Sequence, residues 1–319
     1  MGHAATTRSG AEHGFLQDIQ LGLGAWAWGD RVVWEFGRGY GTAEVREAFA
    51  TSMAEGIRFI DTAEVYGSGR SERFIGEFAS STETSPLVAT KFFPWPWRLS
   101  RKAIPRALRA SLKRLSMQDL YLYQVHSPNS LLSPEAMAEG LVECMEAGLT
   151  RCVGVSNFDE GQMLRVYTTM ARHSVFLASN QLHYSLLHRQ AEKNGLLARC
   201  KELGITLVAY SPLEMGLLTG KYGRSHLPPG SRALRYASVV GRLQPLLKRM
   251  TEIGQDQGGK SNAQIALNWV IAKGALPIPG AKNGRQAAEN AGARGWSLTP
   301  DEVASLDEVS DAVAAGRMT

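Results

Sequence analysis

From Leu21 onward the chain switches repeatedly between two hydrophobic periodicities. Short apolar runs of strand length are each followed by longer segments with apolar residues at three- and four-residue spacing, the pattern of an amphipathic helix. LGLGAW (21–26) is the first strand candidate; the helix after it runs from Thr42 to Gly56, with Thr42 as N-cap and Gly56 at the stop. RFIDTA (58–63) precedes a helix near Ser71 to Phe78, and LVATKFF (87–93) one around Arg101 to Leu115. DLYLYQVH (119–126) precedes a helix that Ser133-Pro134 starts and Gly148 ends. CVGVSNF (152–158) and LASNQLHY (177–184) lead to helices near Glu160 to Ala171 and Ala191 to Leu203. ITLVAYSPL (205–213) runs into a long Gly- and Pro-bearing loop from Glu214 to Leu234, and helices near Leu243 to Gln257 and Asn262 to Lys273 come next. ALPIPGA (275–281) is the eighth strand, and Gln286 to Asn290 opens the last barrel helix.

Eight strand-then-helix units favour a parallel sheet with helices packed outside it. An open doubly wound sheet and a closed barrel both satisfy that pattern. The absence of a GxGxxG after the first strand favours a single (β/α)8 TIM barrel. No linker divides the chain, so one domain is expected over 15–319, after a disordered lead-in at 1–14. The long loop after strand seven then falls on the catalytic face as a mobile segment over a bound ligand.

Composition narrows the class little further. With 44% hydrophobic and 20% charged residues, the chain reads as an ordinary soluble globular protein. The formal charge of +5, without a dense Lys/Arg block, implies neither nucleic acid nor a membrane surface as partner. Cys144, Cys152 and Cys200 lie far apart, without CxxC or metal spacing, and read as buried free thiols. The seven histidines show no HExxH or other metal cluster, so no metal is expected. The polar start MGHAATTRSGAEHG has no apolar core and is not a secretory signal; a lead-in, a cloning remnant and the trimmed end of an organellar transit segment all fit it. The cytoplasm is the expected compartment, with the plastid stroma as the alternative, and the expected assembly is a monomer or weak homo-oligomer.

The chemistry-bearing residues fall at strand ends. In a barrel the active groups project from the C-terminal ends of the strands. Asp61 ends strand two in FIDTAEVYG, Tyr66 lies just beyond it, Lys91 ends strand three, and His126 ends strand four. Singly, each has an ordinary structural explanation; on three consecutive strand ends they form a candidate proton-transfer centre. A phenol, with a pKa of about 10, is a poor acid near neutrality unless a nearby ammonium lowers it. Lys91 is expected to supply that ammonium, Asp61 to hold it charged, and His126 to donate to a substrate carbonyl oxygen that Tyr66 protonates as a hydride reaches carbon.

A hydride donor needs a site, and later strands offer one. Ser156, Asn157 and Gln181 suit a nicotinamide carboxamide, and the Tyr210 ring suits its flat face. Ser211, Pro212, Leu213, Gly216 and Lys221 offer open backbone and a cation for a pyrophosphate. GAKNGRQAAEN opens a helix with Lys282 and Arg285 at its start, a good phosphate position that also reads as a solvated helix end. Trp26 and Trp28 after strand one, and Phe92, Phe93, Trp95 and Trp97 after strand three, are expected to border the mouth above the nicotinamide. Trp26 is assigned to the cofactor and Trp28, Phe93 and Trp95 to the substrate pocket, although any one of them suits a small satellite core equally well. With no Arg or Lys in either aromatic stretch before Arg98, uncharged aromatic or medium-chain aliphatic aldehydes are expected over sugar acids and keto acids.

The motifs FIDTAEVYG, ATKF, YQVH, GVSNF, SNQLHYS, AYSPL with LLTGKY, and PIPGAKN stand in order over roughly 17–310. As a set they resemble the aldo-keto reductase superfamily, and GAWAWGD, PWPWRLS and GWSLTPDEV look most like its plant-plastid and cyanobacterial-type members. The resemblance implies a barrel, NADPH as cofactor, a tetrad on Asp61, Tyr66, Lys91 and His126, and reduction of a small carbonyl substrate. It also implies cofactor contacts at Ser156, Asn157, Gln181, Tyr210 to Leu213, Lys221, Arg232, Gly280, Lys282, Gln286, Glu289 and Asn290. The short GSGRSE stretch and Ser127 after His126 depart from many relatives and alter the pocket rim, so a substrate does not carry over. The alternative to an enzyme is an NADP(H)-binding regulatory subunit, like the barrels that accompany potassium channels and keep the same tetrad.

Overall fold

The structure is a computed structural model and describes residues 16–223, 226–228 and 239–315. The eight apolar runs form eight strands: β1 (Leu23–Gly24), β2 (Phe59–Asp61), β3 (Leu87–Phe92), β4 (Leu120–Val125), β5 (Thr150–Ser156), β6 (Leu177–His183), β7 (Thr206–Tyr210) and β8 (Leu276–Ile278). Each pairs in parallel with the next in chain order. The barrel closes through β1, whose Gly22 and Gly24 N–H groups donate to Pro277 O at 3.0 Å and Pro279 O at 2.9 Å. A Cβ on Gly24 would sit 2.8 Å from Ile278 O, so this seam needs glycine for its close approach. β1 is shorter than the LGLGAW run because the chain turns after Ala25, with Trp28 N–H donating back to Ala25 O at 3.1 Å.

The connecting helices among the described residues are α1 (Thr42–Ala54), α2 (Arg70–Ala79), α3 (Ala103–Leu115), α4 (Pro134–Glu146), α5 (Glu160–Ala171), α6 (Gln190–Lys193), α7 (Leu196–Glu202), α8 (Gln244–Asp256), α9 (Asn262–Ala272), α10 (Gly284–Ala291) and α11 (Pro300–Ala314). Their ends follow ordinary capping chemistry. Ser133, Asp159 and Ser261 each accept a hydrogen bond from the third residue of α4, α5 and α9. Three expectations are corrected. Gly41, not Thr42, caps α1, because Glu44 folds back onto the Gly41 N–H at 2.7 Å. The helix expected over Ala191 to Leu203 breaks into α6 and α7 at Gly195, whose φ of +82° no helix accommodates. The helix over Gln286 to Asn290 is not the last: α11 follows it, opened by Thr299 and Pro300 with Glu302 closing a capping box.

Two apolar layers hold the barrel. Outside, the helices pack on the strands through the main core, which includes Phe49, Phe78, Leu108, Leu141, Val166 and Trp269. Inside, Phe59, Ala89, Leu122, Cys152, Ala178, Val208 and Leu276, one from each strand from β2 to β8, fill the lower barrel, and Leu16 joins them. This dry plug leaves the C-terminal ends of the strands as the place where polar groups converge. The three cysteines are buried free thiols, and burial pushes Cys144 and Cys200 up to about 12, which keeps them unreactive. No helix among the described residues is long and apolar enough to cross a membrane. The lead-in expected at 1–14 lies outside the described residues.

Candidate active site

Directly above the apolar plug lies a buried layer of polar side chains. Lys91 Nζ donates to Asp61 Oδ1 at 2.5 Å and to Thr62 O at 2.8 Å, and both partners of the ion pair are shielded from solvent. The other carboxylate oxygen, Asp61 Oδ2, accepts from Gln181 Nε2 at 2.8 Å and from Gln124 Nε2 at 3.3 Å. A buried charge is tolerable only when it is paired and its remaining lone pairs are satisfied, and this layer meets both conditions. Gly154 makes room for it: a Cβ there would lie 2.2 Å from Ser179 Oγ. Gln124, two residues before His126, was missed in the sequence; a lone amide inside YLYQVH was its signal.

Tyr66 reaches the layer from a 3₁₀ turn, Tyr66–Gly69. Gly67 has a φ of +55°, and a Cβ on it would stand 2.7 Å from Gly29 O, so the turn docks against the β1 loop only with glycine here. The Tyr66 ring has Lys91 Nζ 5.1 Å from its centroid, His126 edge-on at 5.7 Å and Trp26 at 6.3 Å. Below it, Ser71 Oγ donates to Ala25 O and accepts from Thr62 Oγ1, and the buried Glu72 accepts from Thr90 Oγ1 at 2.7 Å and pairs with Arg114. These contacts tie α2, and with it the Tyr66 turn, to the strands.

The electrostatics correct one expectation. Burial, and then the Asp61 carboxylate, push the Tyr66 phenol well above its ordinary pKa rather than below it. Asp61 pairs with Lys91 at 2.5 Å, and that pairing offsets the pull of the ammonium on the phenol without cancelling it. Burial also lowers the affinity of Lys91 for its proton, while Asp61 acts to retain it. His126 is lowered to about 3, first by burial and then by Lys91, so it is a neutral imidazole near neutrality. Its buried Nδ1 has no hydrogen-bond partner. Tyr66 and His126 therefore stand side by side as neutral groups, each with one N–H or O–H to give.

Both open onto one cavity of about 850 Å3, within the range typical of small-molecule and cofactor sites. Its wall contains Trp26, Ser156, Asn157, Gln181, Tyr210, Ser211, Pro212, Leu213, Gly216, Lys221, Gly280, Lys282, Gln286, Glu289 and Asn290. That is every cofactor position named from the sequence except Arg232, which lies outside the described residues. Asn157, at a φ of +63°, accepts from Tyr210 Oη at 3.1 Å and donates to His126 O at 3.0 Å, which ties the Tyr210 ring through Asn157 to the backbone at His126. The Gln181 amide nitrogen is engaged by Asp61, so this residue belongs to the buried layer as much as to the cavity wall. At the far end Asn283 caps α10, and Lys282 Nζ sits 4.3 Å from the Tyr40 ring and 4.8 Å from that of Trp34. Trp34, Met215, Thr219 and Tyr222 line the wall and were missed, because nothing local in their loops marks them as facing inward.

Trp28 is corrected. It is fully buried, donates from Nε1 to Ala281 O at 2.9 Å and packs 6.1 Å from Phe78; the turn after Ala25 sends it beneath the loop as core. Phe92, fully buried at the end of β3, belongs to the core as well, and Phe93, Trp95 and Trp97 do not line the cavity wall either. The Phe93 ring stands edge-on 5.5 Å from His126, Trp95 lies 4.5 Å from Phe93, and Trp97 stacks on Trp95 at 5.0 Å, forming an aromatic ledge from His126 toward solvent.

Comparison with known proteins places the chain in a family. The pattern of the Aldo/keto reductase family matches residues 20–311. A chloroplastic pyridoxal reductase of Arabidopsis thaliana is 40% identical, over 92% of this chain and 84% of its own length. A probable voltage-gated potassium channel subunit beta of Oryza sativa is 28% identical, over 92% of this chain and 93% of its own. Among solved structures, an aldo-keto reductase from Klebsiella pneumoniae in complex with NADPH superposes with a TM-score of 0.72 at 25% identity, covering 91% of this chain and 90% of that one. With a continuous family match from β1 to α11 and the same barrel, this chain belongs to the aldo/keto reductase family.

Proposed function

We propose that the protein reduces aldehydes and ketones to alcohols with NADPH, Tyr66 acting as general acid. The observation that carries this reading is the convergence of two neutral donors, Tyr66 and His126, over a buried Lys91–Asp61 pair, at the mouth of a cavity that continues to the cations after β7 and β8. The residues present fit a nicotinamide dinucleotide. Ser156, Asn157 and Tyr210 offer hydroxyl, amide and ring surface beside the acid pair; Ser211 to Gly216 offer open backbone; Lys221, Lys282 and Arg285 offer positive charge at the far end. When bound, NADPH supplies the hydride.

The protein's own part is to bind and polarise the carbonyl and to supply the proton. His126 is neutral, so its N–H donates to the carbonyl oxygen without competing for the proton. Tyr66 Oη delivers the proton to that oxygen as negative charge develops there, and the Lys91 ammonium, 5.1 Å from the ring, stabilises the phenolate left behind. The high pKa of Tyr66 keeps it protonated until that moment. The Phe93–Trp95–Trp97 ledge supports flat aromatic aldehydes, a class to which the substrate named for the Arabidopsis relative belongs. Following NADPH oxidation with benzaldehyde tests the reading, and turnover that disappears in Tyr66→Phe supports it. NADPH binding without turnover of any simple aldehyde would favour instead a cofactor-dependent binding subunit, the class of the Oryza relative.

A further inference from the structure

Glu64, between Asp61 and Tyr66 on the β2 loop, takes no part in the proton relay, yet it is held in place unusually firmly. Its Oε1 accepts from Arg98 Nη1 at 2.5 Å and its Oε2 from Nη2 at 3.0 Å, a bidentate pair. The same two side chains grip Phe93 by both of its backbone polar groups: Phe93 N–H donates to Glu64 Oε1 at 2.6 Å, and Arg98 Nη1 donates to Phe93 O at 2.9 Å. The guanidinium also covers the Phe92 ring at 4.7 Å. Side-chain exposures of 20% for Arg98 and 9% for Glu64 leave the pair partly desolvated, where its geometry is worth more than that of a surface pair, and the Phe93 ring it clamps stands 5.5 Å from His126, a residue of the cavity wall.

This arrangement bears on charge at the mouth. Among the described residues, the Lys and Arg side chains in the cavity wall are Lys221 after β7, Lys282 after β8 and Arg285 in the first turn of α10. On the side of the aromatic ledge, Arg98 is the first cation of the β3 loop, and its fork is filled by Glu64. A guanidinium free at that place is a ready acceptor site for a carboxylate. Glu64 occupies the fork from within the chain, at a local concentration no dissolved anion matches.

We propose that Glu64 sets substrate specificity: by neutralising Arg98 and fixing Phe93 against His126, it makes the site prefer uncharged carbonyl compounds over those bearing a carboxylate. The inference rests on the carbonyl-reducing reading for its meaning, but it is tested without turnover. Glu64→Gln keeps an oxygen that can accept from Phe93 N–H while removing the negative charge. The test is binding of benzoate and of benzamide to the NADP+ complex, followed by tryptophan fluorescence. In Glu64→Gln the benzoate-to-benzamide affinity ratio should rise about ten-fold, the order expected of one charge-assisted hydrogen bond. The double variant Glu64→Gln/Arg98→Met should lose that gain. Arg98→Met alone, which leaves the carboxylate unbalanced, should lower the ratio below that of the parent. An unchanged ratio in both single variants overturns the proposal, as does a gain that survives loss of Arg98. A protein that shows these shifts yet reduces no aldehyde would keep the charge lock and defeat the catalytic reading instead.

Discussion

Gln181 Nε2 lies 2.8 Å from Asp61 Oδ2, joining the end of β6 to the end of β2 across the barrel. With Lys91 on the other carboxylate oxygen and Gln124 at 3.3 Å, both oxygens of Asp61 are satisfied inside the protein. The Lys91 ammonium beneath Tyr66 is thus held by a carboxylate that is itself held from three strands.

Removal of one partner of this pair should cost much more than removal of both. Lys91→Met leaves Asp61 as an uncompensated buried charge, a change worth about 3–5 kcal/mol of stability. Adding Asp61→Asn should restore part of that loss without restoring turnover. Urea unfolding at neutral pH measures both, and equal stability of the single and double variants would contradict the coupling.

Tyr66→Phe keeps the ring and its contacts with Trp26 and His126 but removes the proton. Turnover should fall about 10²–10⁴-fold, the usual worth of a general acid, while NADPH affinity by fluorescence titration stays near that of the parent. Retention of most activity would remove Tyr66 from the proposed role.

The pH profile should show no ionisation of His126 in the working range. Its pKa is lowered to about 3, so the imidazole stays neutral as pH falls from 8 to 5 and the rate should not change on its account. Tyr66 is raised above its ordinary value, so the alkaline loss of activity that follows its deprotonation should lie above about 10, the pKa of a free phenol. An acid limb near pH 6.5 that His126→Asn abolishes would show the imidazole to be charged in solution.

Lys282→Ala should weaken NADPH about ten- to hundred-fold and leave NADH little changed, because a charge-assisted contact to the 2′-phosphate contributes about 1.5–3 kcal/mol. Trp34 and Tyr40 hold the ammonium between their rings, so Trp34→Ala should weaken NADPH in the same selective sense by a smaller factor. Isothermal titration with both cofactors checks this; parallel losses for NADPH and NADH would place Lys282 elsewhere than at the 2′-phosphate.

The sequence by itself determined the order of elements and the strand-end positions, because both are carried by local signals. The period of apolar residues distinguishes strand from helix, and the end of each apolar run marks where Asp61, Lys91 and His126 emerge. Most of the cofactor-side wall was named from strand ends that face one mouth in a barrel, and Gly280, Gln286, Glu289 and Asn290 only through the family resemblance. What it left undetermined depends on neighbours distant in the chain. Trp26 and Trp28 are two residues apart in one aromatic stretch, and only the turn after Ala25 and the Ala281 carbonyl decide that one faces the cavity and the other is core. The direction of the Tyr66 shift required knowing that the phenol is buried and that Asp61 offsets the pull of Lys91. Glu64, unremarkable beside Asp61 and Tyr66 in the sequence, acquires its partner 34 residues later, when the β2 and β3 loops meet at Phe93. Burial and electrostatic pairing are properties of space rather than of order along the chain, so they were settled only when the barrel closed.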